Sequence, residues 1–146
     1  MSSAPERLVV IGVGNRARGD DAAGLVAAEQ LAGRLHEGDA TGLLDAWEGA
    51  DLAIVIDAVR SGADPGTIHR LDASAAPLPA RLRTSTSTHA IGVGEAIELA
   101  RTLGRLPPRV IVYGIEGGRF EAGAPLSPEV AAAVDRVVES VQARDG

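Results

Sequence analysis

The sequence predicts an open α/β/α sandwich built around a mostly parallel sheet. Short runs of β-branched apolar residues alternate along the chain with segments of helical periodicity. These runs lack the polar alternation of half-exposed strands, which favours strands that are covered on both faces, as in a parallel sheet. The 146 residues contain no internal repeat and no linker, so we expect a single domain over residues 1–146.

Four apolar runs are predicted strands. Residues 51–57 and 109–114 are strongly apolar and are expected at the centre of the sheet, while residues 7–12 form a first strand. Residues 67–72 are a weaker candidate. A further strand is expected shortly before the turn at residues 38–42, although the sequence there is poor in strand-forming residues.

Helical periodicity marks the segments between the strands. Residues 22–35 and 91–103 carry apolar side chains at helical spacing, and residues 43–48 predict one or two helical turns. The last helix is the clearest, because Ser127 suits an N-cap and Pro128 suits the first turn. Its apolar stripe is formed by Val130, Val134, Val137, Val138 and Val141.

Composition excludes several functional classes. The net charge is −6, every basic residue is Arg, and Phe, Trp and Tyr occur once each, so the chain is a poor nucleic-acid binder. The lack of Lys removes Schiff-base chemistry, and the lack of Cys removes disulfides, thiolate metal sites and cysteine nucleophiles. No apolar stretch reaches the length of a membrane span and no secretory signal is recognisable. We therefore expect a cytoplasmic protein with no membrane or nucleic-acid partner.

The first apolar run leads into a glycine turn that ends in two adjacent carboxylates. Gly12 and Gly14 open this turn, and Asp20 and Asp21 close it before the first predicted helix. A phosphate-binding loop would offer bare backbone N–H groups there, whereas fixed negative charge repels phosphate and favours a cation or a role in proton transfer. The glycines match a Gly-x-Gly-x-x-Ala variant of the dinucleotide fingerprint, so a Rossmann-like nucleotide-binding module is an alternative, which the acidic pair disfavours.

Further polar side chains follow the other predicted strands. Asp57 ends the strand at residues 51–57, His89 precedes the helix at residues 91–103, and Glu116 comes just after the strand at residues 109–114. Ligands of open parallel sheets bind outside the carboxyl ends of the strands, where these groups should meet. Carboxylates from the acidic pair after the first strand and from Asp57, together with the imidazole of His89, would suit a divalent ion such as zinc or nickel. Glu116 is a fourth acidic residue at the same rim.

Each of these side chains also has a purely structural interpretation. Asp20 can cap the first helix, and Asp21 can complement its dipole. Asp57 can form a turn, although a carboxylate that closes an apolar strand requires a partner. His89 and Glu116 can simply bond to nearby backbone.

Three other residues are expected to have ordinary structural roles. His36 and His69 lie beside polar or turn residues and are expected at the surface. Trp47, the sole tryptophan, is expected to pack in the interior or to contact a partner.

Taken in order, six segments resemble the hydrogenase maturation endopeptidases. They are GVGNRARGDDAAG, GDATG, VIDAV, TSTSTHAIG, LPPRVIVYGIE and FEAGAPLSPEV, and together they span nearly the whole chain. The resemblance implies a five-stranded α/β/α fold. It also implies a peptidase that removes a C-terminal extension from the precursor of the NiFe-hydrogenase large subunit once nickel has been inserted.

The resemblance also implies which residues form the site. The metal-binding positions of the family correspond to Asp21, Asp57 and His89, the same residues that the rim argument selects, and we expect these three to carry catalysis. The metal is expected to be nickel held in the precursor, or another divalent ion such as zinc, and no organic cofactor is expected. Whether the metal polarises the reacting groups or serves only for recognition stays open, as does a non-catalytic chaperone that binds nickel or the precursor.

Overall fold

A computed structural model describes residues 6–37, 40–79 and 92–145 of the chain. These residues form a five-stranded sheet in the order β2-β1-β3-β5-β4. The strands are β1 (Leu8–Gly14), β2 (Arg34–Glu37), β3 (Leu52–Val59), β4 (Ile68–Asp72) and β5 (Arg109–Glu116). All neighbouring pairs are parallel except β4 and β5, which are antiparallel.

Helices cover both faces of this sheet. They are α1 (Ala23–Gln30), α2 (Leu43–Ala46), α3 (Val93–Leu103) and α4 (Pro128–Asp145), with short 3₁₀ turns at Gly19–Ala22 and Ala40–Gly42. Ala53 and Val55 of β3 pack with α2 and α3, whereas Ile54 and Ile56 pack with α1 and α4. Successive side chains of this central strand therefore pack into two hydrophobic cores, one on each face of the sheet. The predicted three-layer sandwich is confirmed.

The main error of the sequence analysis concerns the first helix. The helix predicted over residues 22–35 ends at Gln30. Arg34–Glu37 form the edge strand β2, which is the strand expected shortly before residues 38–42. Ala32 adopts a left-handed conformation with φ of 54°, which turns the chain back toward the sheet. Strand β2 buries little side-chain surface and pairs in parallel with the end of β1, so its backbone hydrogen bonds define it and its side chains do not predict it.

The other predicted elements are found with shifted ends. Strands β1, β3 and β5 each extend two residues further at their carboxyl ends than predicted, and the short helix α2 and the weak strand β4 are present. Ser127 directly precedes α4, and its carbonyl accepts the N–H of Ala131. Residues 73–79 are irregular, as predicted for the loop at residues 73–88, while residues 80–88 lie outside the described part. Within the described ranges, no helix has the length and apolarity needed to cross a membrane.

Close packing brings the start of helix α1 onto the ends of strands β1 and β3. A Cβ atom at Gly24 would collide with the carbonyl oxygens of Ile56 and Val13, so only glycine lets α1 approach these two strands. Strands β1, β3 and β5 run in parallel and end at the same edge of the sheet. The segments that follow them therefore meet at this edge.

Candidate active site at the carboxyl end of the sheet

The 3₁₀ turn after β1 buries two consecutive carboxylates. Asp20 is fully buried, and Asp21 is 4% exposed. Their turn is closed by its own backbone, since the N–H of Asp21 donates to the carbonyl of Arg18 at 3.0 Å. The carbonyl of Asp21 in turn accepts the N–H of Asn15 at 3.2 Å. Both acids thus belong to a compact turn at the end of β1, as the sequence predicted.

The carboxylate of Asp20 is bound to a distant part of the chain. Its Oδ2 accepts the backbone N–H groups of Gly118 at 2.9 Å and Arg119 at 2.8 Å. Its Oδ1 accepts the N–H of Ser127 at 2.8 Å, and the Ser127 hydroxyl donates to both oxygens. The interpretation of Asp20 as a cap of the first helix is therefore wrong, because its partners lie after β5 and not in its own helix.

These hydrogen bonds control the ionisation of Asp20. Burial alone would raise the pKa of its carboxyl group, but the backbone N–H groups of Ser127, Gly118 and Arg119 and the Ser127 hydroxyl outweigh that effect. The pKa of Asp20 consequently lies below its ordinary value, and the group is an anion at neutral pH.

Asp57 lies near the end of β3, opposite Gly114 of β5, and is partly exposed. It belongs to the face of β3 that is covered by α2 and α3, as the alternation with Val55 requires. Next to it is an apolar cavity of about 10 Å³. The other lining residues are Val59, Leu71, Leu78, Val93, Val112 and Gly114.

Asp57 and Asp21 influence each other electrostatically. Burial raises the pKa of the Asp57 carboxyl well above 3.8, and the negative charge of Asp21 raises it further. The backbone N–H of Ala58 opposes the shift without cancelling it. Two carboxyl groups in this relation favour either a shared proton or a bound cation.

The third predicted residue, His89, lies outside the described residues. The described chain resumes at Gly92, the N-cap of α3, and Val93 lines the same small cavity as Asp57. Among the residues that the structure describes, no three His, Asp or Glu side chains gather as a metal site would require. The structure thus brings together Asp21 and Asp57 of the predicted set.

Glu116 is a buried carboxylate with a different set of partners. Its Oε2 accepts the N–H of Ser61 at 2.7 Å, and its Oε1 accepts the Ser61 hydroxyl at 2.5 Å. The Nε2 atom of His69 lies 3.2 Å from Oε1. Glu116 therefore braces the turn after β3 against β4, and the expectation that His69 lies at the surface is wrong, since it is 13% exposed.

One aromatic side chain, Phe120, lies in the segment that follows β5. The guanidinium of Arg60 lies 4.1 Å from the centre of the Phe120 ring, which packs against Gly117 in the segment after β5. No sequence pattern predicted this pair, because the two residues are 60 positions apart. Trp47 is buried in the same core as residues of α2 and α3, which confirms the expectation that it packs in the interior.

The site does not fit the nucleotide-binding alternative. In that motif the helix begins within the glycine-rich turn, so that its N-terminus faces the pyrophosphate. Here α1 begins only at Ala23, and the two buried acids Asp20 and Asp21 precede it. The fold and the site instead define an α/β protein whose edge of carboxylates suits cation binding or proton transfer at a reacting bond.

Comparison with known proteins identifies the family. The family model described as hydrogenase maturation protease matches residues 38–144. The hydrogenase expression/formation protein HupD of Rhodobacter capsulatus is 31% identical over 150 residues, covering 94% of this chain and 71% of the relative. The hydrogenase 2 maturation protease of Escherichia coli is 28% identical over 148 residues, covering 94% and 89%.

A solved structure agrees with these sequences. The hydrogenase maturating endopeptidase HybD from E. coli aligns with a TM-score of 0.75 at 28% identity, over 94% of this chain and 91% of that chain. The present chain belongs to the hydrogenase maturation protease family, and it is a peptidase. The resemblance predicted from the sequence is thereby confirmed.

Proposed function

We propose that this peptidase removes the C-terminal extension of a NiFe-hydrogenase large-subunit precursor after nickel insertion, using Asp21, Asp57 and His89. The observation that carries the proposal is the coupling of Asp21 and Asp57 at the carboxyl end of the sheet. The names of the relatives, which are maturation proteases of hydrogenases, supply the substrate class.

The donor chemistry fits a divalent ion. Asp21 and Asp57 would offer carboxylate oxygens and His89 an imidazole nitrogen, a mixed set that nickel and zinc both accept. The negative charge of Asp21 raises the pKa of Asp57, and a cation bound between the two carboxyl groups would offset that repulsion. Three protein ligands leave positions open, which suits a nickel ion that arrives already bound to the precursor as part of the substrate.

The protein residues would divide the work of hydrolysis. A bound divalent ion would supply an attachment point for the precursor and, where it contacts the reacting groups, Lewis acidity. A carboxylate oxygen of Asp57 that is not bound to the ion can take a proton from the attacking water and pass it to the leaving amine.

Intact-mass analysis of the precursor tests this proposal. The purified protein is incubated with a nickel-loaded large-subunit precursor and, separately, with the same precursor free of nickel. We expect the extension to be lost only from the nickel-loaded form. A nickel-loaded precursor that forms a stable complex yet keeps its extension would overturn the proposal and favour the chaperone alternative.

Substituting the ion separates the two metal roles. If nickel serves for recognition alone, a precursor loaded with a different divalent ion of similar size binds with changed affinity but is cleaved at an unchanged maximal rate. If the ion polarises the reacting groups, the maximal rate itself changes.

A further inference from the structure

We infer that Asp20 is the positioning residue for Asp21: its buried carboxylate ties the acidic turn to the segment after β5 and thereby fixes the position of Asp21 relative to Asp57. This inference rests on the proposed function of Asp21 and Asp57. It assigns to Asp20 a task that neither the helix-capping interpretation nor ligation of a metal would give it.

The connection runs in both directions between two short backbone segments. The N–H of Asp20 donates to the carbonyl of Arg119 at 2.7 Å, while the N–H of Arg119 donates to Oδ2 of Asp20 at 2.8 Å. The N–H groups of Gly118 and Ser127 add further bonds to the same carboxylate. Asp21 follows Asp20 directly, so a displacement of this turn displaces Asp21.

Close backbone packing makes this connection between the acidic turn and the segment after β5 rigid. We call the connection the Asp20 tether. A Cβ atom at Gly19 would collide with the carbonyl of Arg119, and Gly19 has a positive φ of 56° that favours glycine. On the other side, a Cβ atom at Gly117 would lie 2.9 Å from Cβ of Asp20. The backbone at Gly19 thus lies against the backbone of Arg119, and Cβ of Asp20 lies close to Gly117.

The Asp20 tether requires a carboxylate and not merely a polar side chain. Both oxygens of Asp20 accept backbone N–H groups, from Ser127 on one side and from Gly118 and Arg119 on the other. An asparagine side chain presents an NH₂ group on one of these sides, so at least one backbone donor would face another donor. A buried donor without an acceptor is costly, and the turn would move to relieve it.

The two adjacent acids therefore have separate tasks. The charge of Asp20 is satisfied by donors of the scaffold, whereas Asp21 interacts electrostatically with Asp57. Outer-shell groups that orient a ligand in this way change metal affinity by about 10-fold to 100-fold when they are replaced. We expect an effect of this size from Asp20 although it does not touch the ion.

Titration calorimetry of the full-length protein with nickel chloride and with zinc chloride tests the inference. The variants are Asp20→Asn, Ser127→Ala and the control Glu116→Gln, which changes another buried carboxylate at the same edge. We expect Asp20→Asn to raise the dissociation constant about 10-fold to 100-fold. Ser127→Ala leaves the three backbone donors in place and should change it by less than about threefold. Glu116→Gln should destabilise the fold yet retain the wild-type affinity.

The outcomes separate positioning from general destabilisation. All titrations are made well below the melting temperature of each variant. Wild-type affinity in Asp20→Asn would overturn the inference, and so would an equal loss in Glu116→Gln, since that would trace the effect to reduced stability alone.

A wild-type protein that binds neither ion would instead count against the metal in the proposed function. In that case the Asp21–Asp57 separation, measured in crystal structures of wild type and Asp20→Asn, decides the inference. An increase supports positioning by Asp20, and an unchanged separation overturns it.

Discussion

Asp21, in the turn after β1, raises the pKa of Asp57 on β3 through its negative charge, in addition to the larger effect of burial. The two residues are 36 positions apart in the chain and come together because β1 and β3 are parallel neighbours that end at the same edge of the sheet. Two neighbouring carboxyl groups are unfavourable partners when both are ionised and no cation is bound, because like charges repel each other. Such a pair favours a shared proton or a bound cation. This relation underlies most of the predictions that follow.

Replacing Asp57 by Asn should be the most damaging single change to precursor processing. Asn keeps the size of the side chain but removes the charge and the proton-transfer group, and β3 is a rigid central strand that otherwise holds this group in place. We expect precursor cleavage, followed by mass spectrometry, to fall at least about 100-fold. Asp20→Asn should reduce it less, because Asp20 acts through Asp21. Cleavage by Asp57→Asn at a near wild-type rate would contradict this order.

The same substitution should increase stability at neutral pH. The folded protein binds the Asp57 proton more tightly than the unfolded chain does, because its pKa is raised above 3.8 on folding. The stability associated with the protonated group is present below that value and is lost as the pH rises through the raised folded pKa. The melting temperature of Asp57→Asn relative to wild type should therefore rise as the pH increases from about 4 through the raised folded pKa. A difference that stays constant over this range would show that Asp57 has no raised pKa.

His89→Ala should abolish divalent-ion binding while the fold is retained. The helix that follows begins at Val93 with Gly92 as its N-cap, so its start does not depend on a side-chain cap. We expect calorimetry to show no binding of zinc or nickel and the melting temperature to change by no more than a few degrees. A large fall in melting temperature with unchanged affinity would assign His89 a structural role.

The isolated protein should bind a divalent ion weakly. Only three protein ligands are proposed, and the open positions belong to the precursor. We expect zinc or nickel added to the pure protein to be removed by dialysis against a chelator, as measured by elemental analysis. Stoichiometric metal that survives this dialysis would point to a resident ion.

Gly24→Ala should destabilise the protein because it separates α1 from the sheet. The added Cβ atom would collide with the carbonyl oxygens of Ile56 and Val13, which cannot rotate away. We expect a loss of about 3 kcal/mol in the free energy of unfolding by urea denaturation. The control is Gly123→Ala, which meets no atom within 4 Å but has a positive φ of 79°. It should cost only about 1–2 kcal/mol, so equal losses would rule out the steric explanation.

Local sequence patterns predicted the alternation of strands and helices and the start of the last helix. The apolar runs of β3 and β5 and the stripe of valines in α4 are buried in the structure, because side-chain burial is what such patterns encode. The order and spacing of the six segments also carried the family resemblance. Asp21 and Asp57 were selected because carboxyl ends of parallel strands must share an edge, and the structure brings these two together.

Other features were decided by tertiary structure alone. A strand was expected before residues 38–42, but the bounds of β2 follow from backbone pairing with β1, because its mostly exposed side chains carry no strand pattern. Asp20 binds Gly118, Arg119 and Ser127, which are about a hundred positions away. The same holds for the bracing of Ser61 by Glu116. From the sequence one can say only that a buried carboxylate at the end of a strand needs hydrogen-bond donors. Which donors reach it depends on how distant segments of the chain fold together.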